Sequence, residues 1–121
     1  MCKNCQVDLN HLNLRVADPD RARAFYEQWF GFREKFSEEG AVFLTNDERF
    51  LLALFPAEAG TSLPSGYHFG FNLDDPAEVR AMHRAMTERG VGPGDLEECE
   101  DYVTFRCQDL DGHQVEVFWE P

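Results

Sequence analysis

Basic residues are scarce in this sequence. Eleven lysines and arginines stand against 23 aspartates and glutamates, a formal net charge of -12 over 121 residues. Nucleic acid and anionic membrane both select a basic footprint, so neither is expected as a partner. An anionic substrate would need a local positive centre, which a metal ion or a buried arginine can supply. Long apolar runs are missing too. None approaches the roughly 20 residues that span a bilayer. The opening Met1-Cys2-Lys3-Asn4-Cys5 has no apolar stretch of the secretory kind, so a cytoplasmic location is expected. Cysteine is limited to Cys2, Cys5, Cys99 and Cys107. Cys2 and Cys5 form a C-x-x-C, but no second pair stands at zinc-site spacing and no strand-to-helix junction surrounds it, as a redox motif requires. Neither context gives that pair a defined role, and Cys99 and Cys107 read as buried or incidental thiols.

What is present is a globular composition, 43% hydrophobic and 13% aromatic with 11 phenylalanines, enough for one domain spanning 1–121. Residues 6–16 alternate, with Leu12, Leu14 and Val16 on one face and His11, Asn13 and Arg15 on the other, which predicts a half-buried strand. Asp18-Pro19 is a helix start, and Ala22, Phe25, Tyr26, Trp29 and Phe30 recur at helical spacing until Gly31. Strands are predicted over 32–37, 41–46 and 50–55, the last stopped by Pro56, with turns at Glu38-Glu39-Gly40 and Asn46-Asp47-Glu48. Residues 57–66, with Gly60, Pro64 and Gly66, read as a linker or a loop over a site.

The pattern then starts again. His68, Gly70 and Asn72 alternate with Phe69, Phe71 and Leu73, and Asp75-Pro76 repeats the helix start. Val79, Met82 and Met86 continue it to Gly90. Strands are predicted over 95–99, 102–107 and 113–119, with an Asp109-Leu110-Asp111-Gly112 turn before the last. The chain is therefore two βαβββ modules, about 6–56 and about 67–119, in an α+β fold. His68 lies 57 residues after His11 (68 − 11), and Glu116 lies 63 after Ala53 (116 − 53). The extra length falls near Gly92-Pro93-Gly94.

Two histidines at equivalent repeat positions and a carboxylate on the final strand suggest a metal site. Two neutral imidazoles and one carboxylate, each from a different strand, fill one face of an octahedron and leave three positions for water or substrate. The plainer alternative is a pair of hydrogen-bonded strand histidines and a solvated strand glutamate. The matched positions favour His11, His68 and Glu116 as ligands. His83, in the second helix, and His113, after a turn, read as incidental.

The stretches His11–Phe32 (HLNLRVADPDRARAFYEQWFGF) and Asp109–Glu116 (DLDGHQVE) resemble the vicinal oxygen chelate superfamily, which includes glyoxalase I, extradiol dioxygenases, fosfomycin-resistance enzymes and bleomycin-resistance proteins. The resemblance covers nearly the whole chain. It implies paired βαβββ modules whose sheets curve around a cleft, a homodimer in short members, and His11, His68 and Glu116 at the family's ligand positions. It also marks departures. Glyoxalase I uses a fourth ligand where Ala53 stands, the ring-cleaving dioxygenases have a tyrosine where Arg106 stands, and the region Gly92–Asp101 is acidic where a phosphonate would need basic residues. Bleomycin-resistance proteins usually lack the ligands altogether.

The expectation is thus one divalent metal per chain, iron, manganese, nickel or zinc, serving a lyase, isomerase or dioxygenase of small oxygenated substrates. The ligands would come from one chain or from across a dimer. Arg106 shares a strand face with Tyr102 and Thr104 and would either fork onto a substrate carboxylate or pair with Glu116. Asn13, on the His11 face, would hydrogen-bond a ligand or water. Tyr102 would act as a general acid or as wall. The competing function is a metal-free protein that sequesters an aromatic or drug-like molecule.

Overall fold

The structure, a computed structural model, describes residues 7–47, 49–58, 63–64 and 66–121. The Cys2/Cys5 pair, Glu48 of the predicted turn and residues 59–62 and 65 of the predicted linker lie outside the described residues. The chain divides into two compact units, Met1–Glu58 and Ala59–Pro121.

In the first unit, β1 (His11–Val16) is followed by α1 (Pro19–Phe30), β2 (Arg33–Glu38), β3 (Ala41–Thr45) and β4 (Leu51–Pro56). The sheet order is β1-β4-β3-β2, with β1 parallel to β4 and the rest antiparallel. Asp18 caps α1 by accepting from the backbone N–H groups of Asp20 (3.1 Å) and Arg21 (3.3 Å), a contact whose loss costs about 1 kcal/mol. Gly31 ends the helix at φ 69°, a left-handed conformation that glycine adopts without strain. The helix buries Ala22, Phe25 and Tyr26 over β3 and β4, against Leu14, Val16, Leu44, Leu52 and Leu54. The opposite sheet face carries His11, Asn13 and Arg15, all exposed. It also carries an aromatic row. Phe36 stacks on Phe43 at 4.3 Å, Phe43 meets Phe55 edge-on at 5.6 Å, and the Arg15 guanidinium lies 5.2 Å over Phe55.

The first strand begins at His11, later than the alternation predicted. Strand pairing, not alternation, sets that boundary. β4 opens at Leu51, directly opposite His11, and Val7 and Leu9 before it are exposed.

The second unit repeats the plan: β5 (Phe69–Asn72), α2 (Pro76–Glu88), β6 (Glu97–Cys99), β7 (Tyr102–Gln108) and β8 (Gln114–Trp119), in the order β5-β8-β7-β6. Asp75 caps α2 by accepting from Ala77 N–H at 2.8 Å, and Val79 and Met86 are buried beneath it. Among the described residues no helix is long and apolar enough to cross a membrane.

The inner ladders of the two units match in register, whereas the outer pairs differ by a bulge at Glu34/Phe36 in β2. Leu12 faces Leu52 as Phe69 faces Val115, Asn13 faces Ala53 as Gly70 faces Glu116, and Phe43 faces Ala53 as Arg106 faces Glu116. Each unit is therefore a βαβββ module with one mixed four-stranded sheet, and the whole is an α+β fold.

Candidate functional site

The second unit gathers the chemistry. Facing residues of paired strands point to the same side, so Gly70, Thr104, Arg106 and Glu116 share the sheet face away from α2. Val103, Phe105, Val115 and Val117 fill the helix side and are buried. His68 lies one residue before the first rung of β5, and its Nε2 reaches to 3.4 Å from Glu116 Oε1. The imidazole is 37% exposed and the carboxylate 26%, so both remain accessible to a ligand. That contact is a charge pair only when the imidazole is protonated. The other carboxylate oxygen, Oε2, accepts from the Thr104 hydroxyl at 2.7 Å, with the Val117 carbonyl 3.0 Å away as a second acceptor. Thr104 thereby sets the carboxylate plane.

Gly70 makes the approach possible. A Cβ there would stand 2.9 Å from the Glu116 carbonyl oxygen and 3.2 Å from its Cβ. Beside Glu116 opens a cleft of about 520 Å³, lined by Gly94, Asp95, Glu97, Thr104, Phe105, Arg106 and Glu116. That volume suits a small molecule. Its outer wall is tied down twice at Gly94, which donates its N–H to the Arg106 carbonyl (2.8 Å) and accepts from His83 Nε2 (2.8 Å). His83 also meets Phe105 edge-on at 5.0 Å.

The pair fits a metal. Neighbouring donors on an ion bound at about 2.0–2.2 Å stand roughly 3 Å apart. His68 and Glu116 are already near that separation, and neutral nitrogen with carboxylate oxygen is a donor set that first-row divalent ions take. In the first unit, the His11 Nδ1–H donates to Asn10 Oδ1 at 3.0 Å. That partner places the proton on Nδ1 and leaves the Nε2 lone pair for a ligand, as metal-binding histidines require. Among the described residues no three His, Cys, Asp or Glu side chains stand together in a metal-binding cluster.

The other predicted residues fall as follows. Arg106 lines the cleft directly across the ladder from Glu116. Its guanidinium forms no hydrogen bond or ion pair with another described residue, so the predicted pairing with Glu116 is not made. Tyr102 shares its face at the start of β7, is 41% exposed, and stands outside the cleft lining. Cys99 and then Glu97 hold its phenol above the usual range, so at neutral pH it is a donor. Asn13 is exposed on β1, two residues from His11.

Two residues read as incidental have defined roles. His83 anchors the cleft wall. His113 is buried at 2% exposure, and its Nδ1 shares a hydrogen bond of 2.5 Å with the Tyr67 hydroxyl. Its N–H donates to Asp109 Oδ1 at 3.0 Å. Burial, and then the Asp109 charge, raise the Tyr67 phenol above its ordinary value. The residue before His68 is thereby fastened to the β7–β8 hairpin. A signal for this was present. His113 has the same parity as Val115 and Val117, the buried face of β8.

Solved structures share this architecture. A possible glyoxalase from Bacillus cereus is 25% identical, with 93% of this chain and 98% of that one aligned at a TM-score of 0.82. A lactoylglutathione lyase from Agrobacterium tumefaciens is 24% identical over 94% of each chain, TM-score 0.74. The fosfomycin resistance protein FosX from Listeria monocytogenes, solved with Mn(II) and sulfate, is 18% identical over 97% of this chain and 93% of that one, TM-score 0.79. No curated protein matches the sequence. Residues 8–117 match the Glyoxalase/Bleomycin resistance protein/Dioxygenase superfamily, and with two βαβββ modules of matched register in place, the chain belongs to that superfamily among the vicinal oxygen chelate proteins.

Proposed function

We propose that the protein is a divalent-metal-dependent enzyme acting on a small oxygenated molecule. His68 and Glu116 hold the ion, and His11, from the same chain or from across a dimer, is the third ligand. The observation that carries this reading is the approach of His68 Nε2 to Glu116 Oε1 at 3.4 Å, with Thr104 orienting the second carboxylate oxygen. The Nδ1–H of His11, donated to Asn10, supports the third ligand because it leaves Nε2 unprotonated. Ala53 stands where a fourth acid ligand would, so the set has three members and keeps open positions for substrate.

Once bound, a divalent ion polarises neighbouring substrate oxygens as a Lewis acid, and iron adds dioxygen chemistry. The protein's own contributions are separable. Arg106 orients the substrate from the cleft wall, and Asn13 hydrogen-bonds a substrate oxygen from the His11 face. Tyr102 keeps its proton and, at the start of β7 outside the cleft lining, serves as wall and not as general acid. The Listeria protein was solved with Mn(II), which makes manganese the first ion to supply, followed by iron, nickel and zinc.

The test is metal content. Protein purified without chelator should hold about one divalent ion per chain. His68→Ala and Glu116→Gln should each lower that to under about a tenth at equal total metal, since each ligand contributes more than 10-fold to affinity. His11→Ala should do the same. Activity is then screened on glyoxals, catechols and epoxides with each metal restored. Stoichiometric metal absent from wild-type protein, and ligand binding indifferent to chelator, would replace this reading with a metal-free small-molecule carrier.

A further inference from the structure

The cleft beside Glu116 carries a second message, about the substrate's head group. Its lining holds one cation, Arg106, and three carboxylates, Asp95, Glu97 and Glu116. The four do not neutralise one another in pairs. Glu116 is turned to His68 and Thr104, and the Arg106 guanidinium has no partner among the described residues although it stands directly across from Glu116. Its backbone is held firmly. Arg106 is an interior residue of β7, and its carbonyl accepts from Gly94 N–H at 2.8 Å. A planar fork on a fixed strand, open to a cleft of about 520 Å³, is suited to a planar anion that accepts two parallel hydrogen bonds.

The acids decide which anion. A carboxylate brings one negative charge, which one guanidinium balances. A phosphate or phosphonate brings up to two, and the second would face Asp95 and Glu97, the two lining carboxylates outside the proposed metal pair, with no side-chain cation besides Arg106 among the described lining residues. Asp95, Glu97 and Arg106 are all exposed, so this repulsion weakens as salt is added. We propose that Arg106 is a specificity-determining residue, and that the substrate is a small monocarboxylate bearing a neighbouring hydroxyl or keto oxygen, with Asp95 and Glu97 excluding phosphorylated and phosphonate compounds. This rests on the metal-enzyme reading only for the neighbouring oxygen. The carboxylate preference belongs to Arg106 alone.

Three probes differing only in the head group test it: lactate, lactamide and 1-hydroxyethylphosphonate. Binding to the full chain is followed by calorimetry, with and without added Mn(II). Lactate should bind at least about tenfold more tightly than either analogue, the scale of one charge-assisted fork. Arg106→Gln should abolish the preference for lactate over lactamide, whereas Arg106→Lys retains part of it. Asp95→Asn with Glu97→Gln should raise phosphonate affinity several-fold and keep lactate ahead of lactamide. The proposal is overturned if wild-type protein binds none of the probes at millimolar concentration, if the phosphonate equals lactate, or if Arg106→Gln leaves the preference intact. The two readings fail separately. Protein that takes up no metal yet prefers lactate through Arg106 sinks the metal assignment and supports this one. Protein that takes up metal but shows no Arg106-dependent preference does the reverse.

Discussion

Gly70→Ala is a small change with a calculable consequence. The added Cβ would lie 2.9 Å from the Glu116 carbonyl oxygen and 3.2 Å from the Glu116 Cβ. Carbon–carbon contacts are comfortable at about 3.5–4.0 Å, so β5 and β8 must part by roughly 0.5 Å at this rung. Backbone cannot swing aside as a flexible side-chain tip can. Overpacking of this kind costs about 1–3 kcal/mol. Removing glycine from the unfolded chain returns about 0.4–1 kcal/mol, leaving a net loss of roughly 1–2 kcal/mol. For a chain of this length that lowers Tm by about 4–8 °C. The displaced residue, Glu116, carries in Oε1 one end of the 3.4 Å approach to His68, and binding constellations tolerate about 0.5 Å. Mn(II) affinity should therefore fall at least about tenfold. Calorimetric melting gives the first number and competition with a chromophoric chelator the second. Asn13→Ala is the control, because its rung in the first unit already carries a Cβ on both strands and its Tm should move by less than about 2 °C. Unchanged Tm and unchanged affinity in Gly70→Ala would refute the close approach. Lowered Tm with wild-type affinity would refute its connection to the metal pair.

Two further outcomes follow from the same site. Thr104→Val keeps the side-chain shape but removes the hydroxyl that meets Glu116 Oε2 at 2.7 Å, so metal affinity measured by chelator competition should drop about tenfold, and Thr104→Ser should recover most of it. Burial, and secondarily Asp109, push the Cys107 thiol up from 9.0 to about 11. A raised pKa means the folded state holds the proton longer, so this stabilisation is complete below pH 9 and is lost as pH climbs through about 11. Urea midpoints between pH 8 and 11 should fall more steeply in wild-type protein than in Cys107→Ala. The raised Tyr67 phenol leaves a smaller slope above pH 10 in both.

The fold was legible because its signals are local. The alternation from His11 to Val16 and from His68 to Leu73, the Asp18-Pro19 and Asp75-Pro76 starts, and Gly31 each act within a few residues, and the structure forms both helices and all eight strands where they pointed. Boundaries were less legible. The start of β1 depends on Leu51, forty residues away (51 − 11), and no local pattern reports a distant partner. In the site, parity alone put Thr104 with Arg106 on one strand and Glu116 with Gln114 and Phe118 on another, and the register joins the two sets on one face. Parity did not reveal that Thr104 reaches diagonally to the carboxylate while Arg106, directly opposite, does not. That choice rests on rotamers and strand twist. His83 and His113 were passed over for a different reason. Their partners, the Gly94 carbonyl and the Tyr67 hydroxyl, lie in loops whose path follows from tertiary packing.

The matched ladders bear on how such a protein can change. At the rung shared by the outer parallel strand and its neighbour, each unit carries one sizeable side chain, on opposite strands: Asn13 with Ala53 in the first, Glu116 with Gly70 in the second. The rung, and not the residue, is then the unit of exchange. An acid introduced at 53 alone would meet Asn13, where its counterpart meets bare backbone. A carboxylate gained by the first module would therefore stand beside a side-chain amide, and the two modules would present their acids in different surroundings.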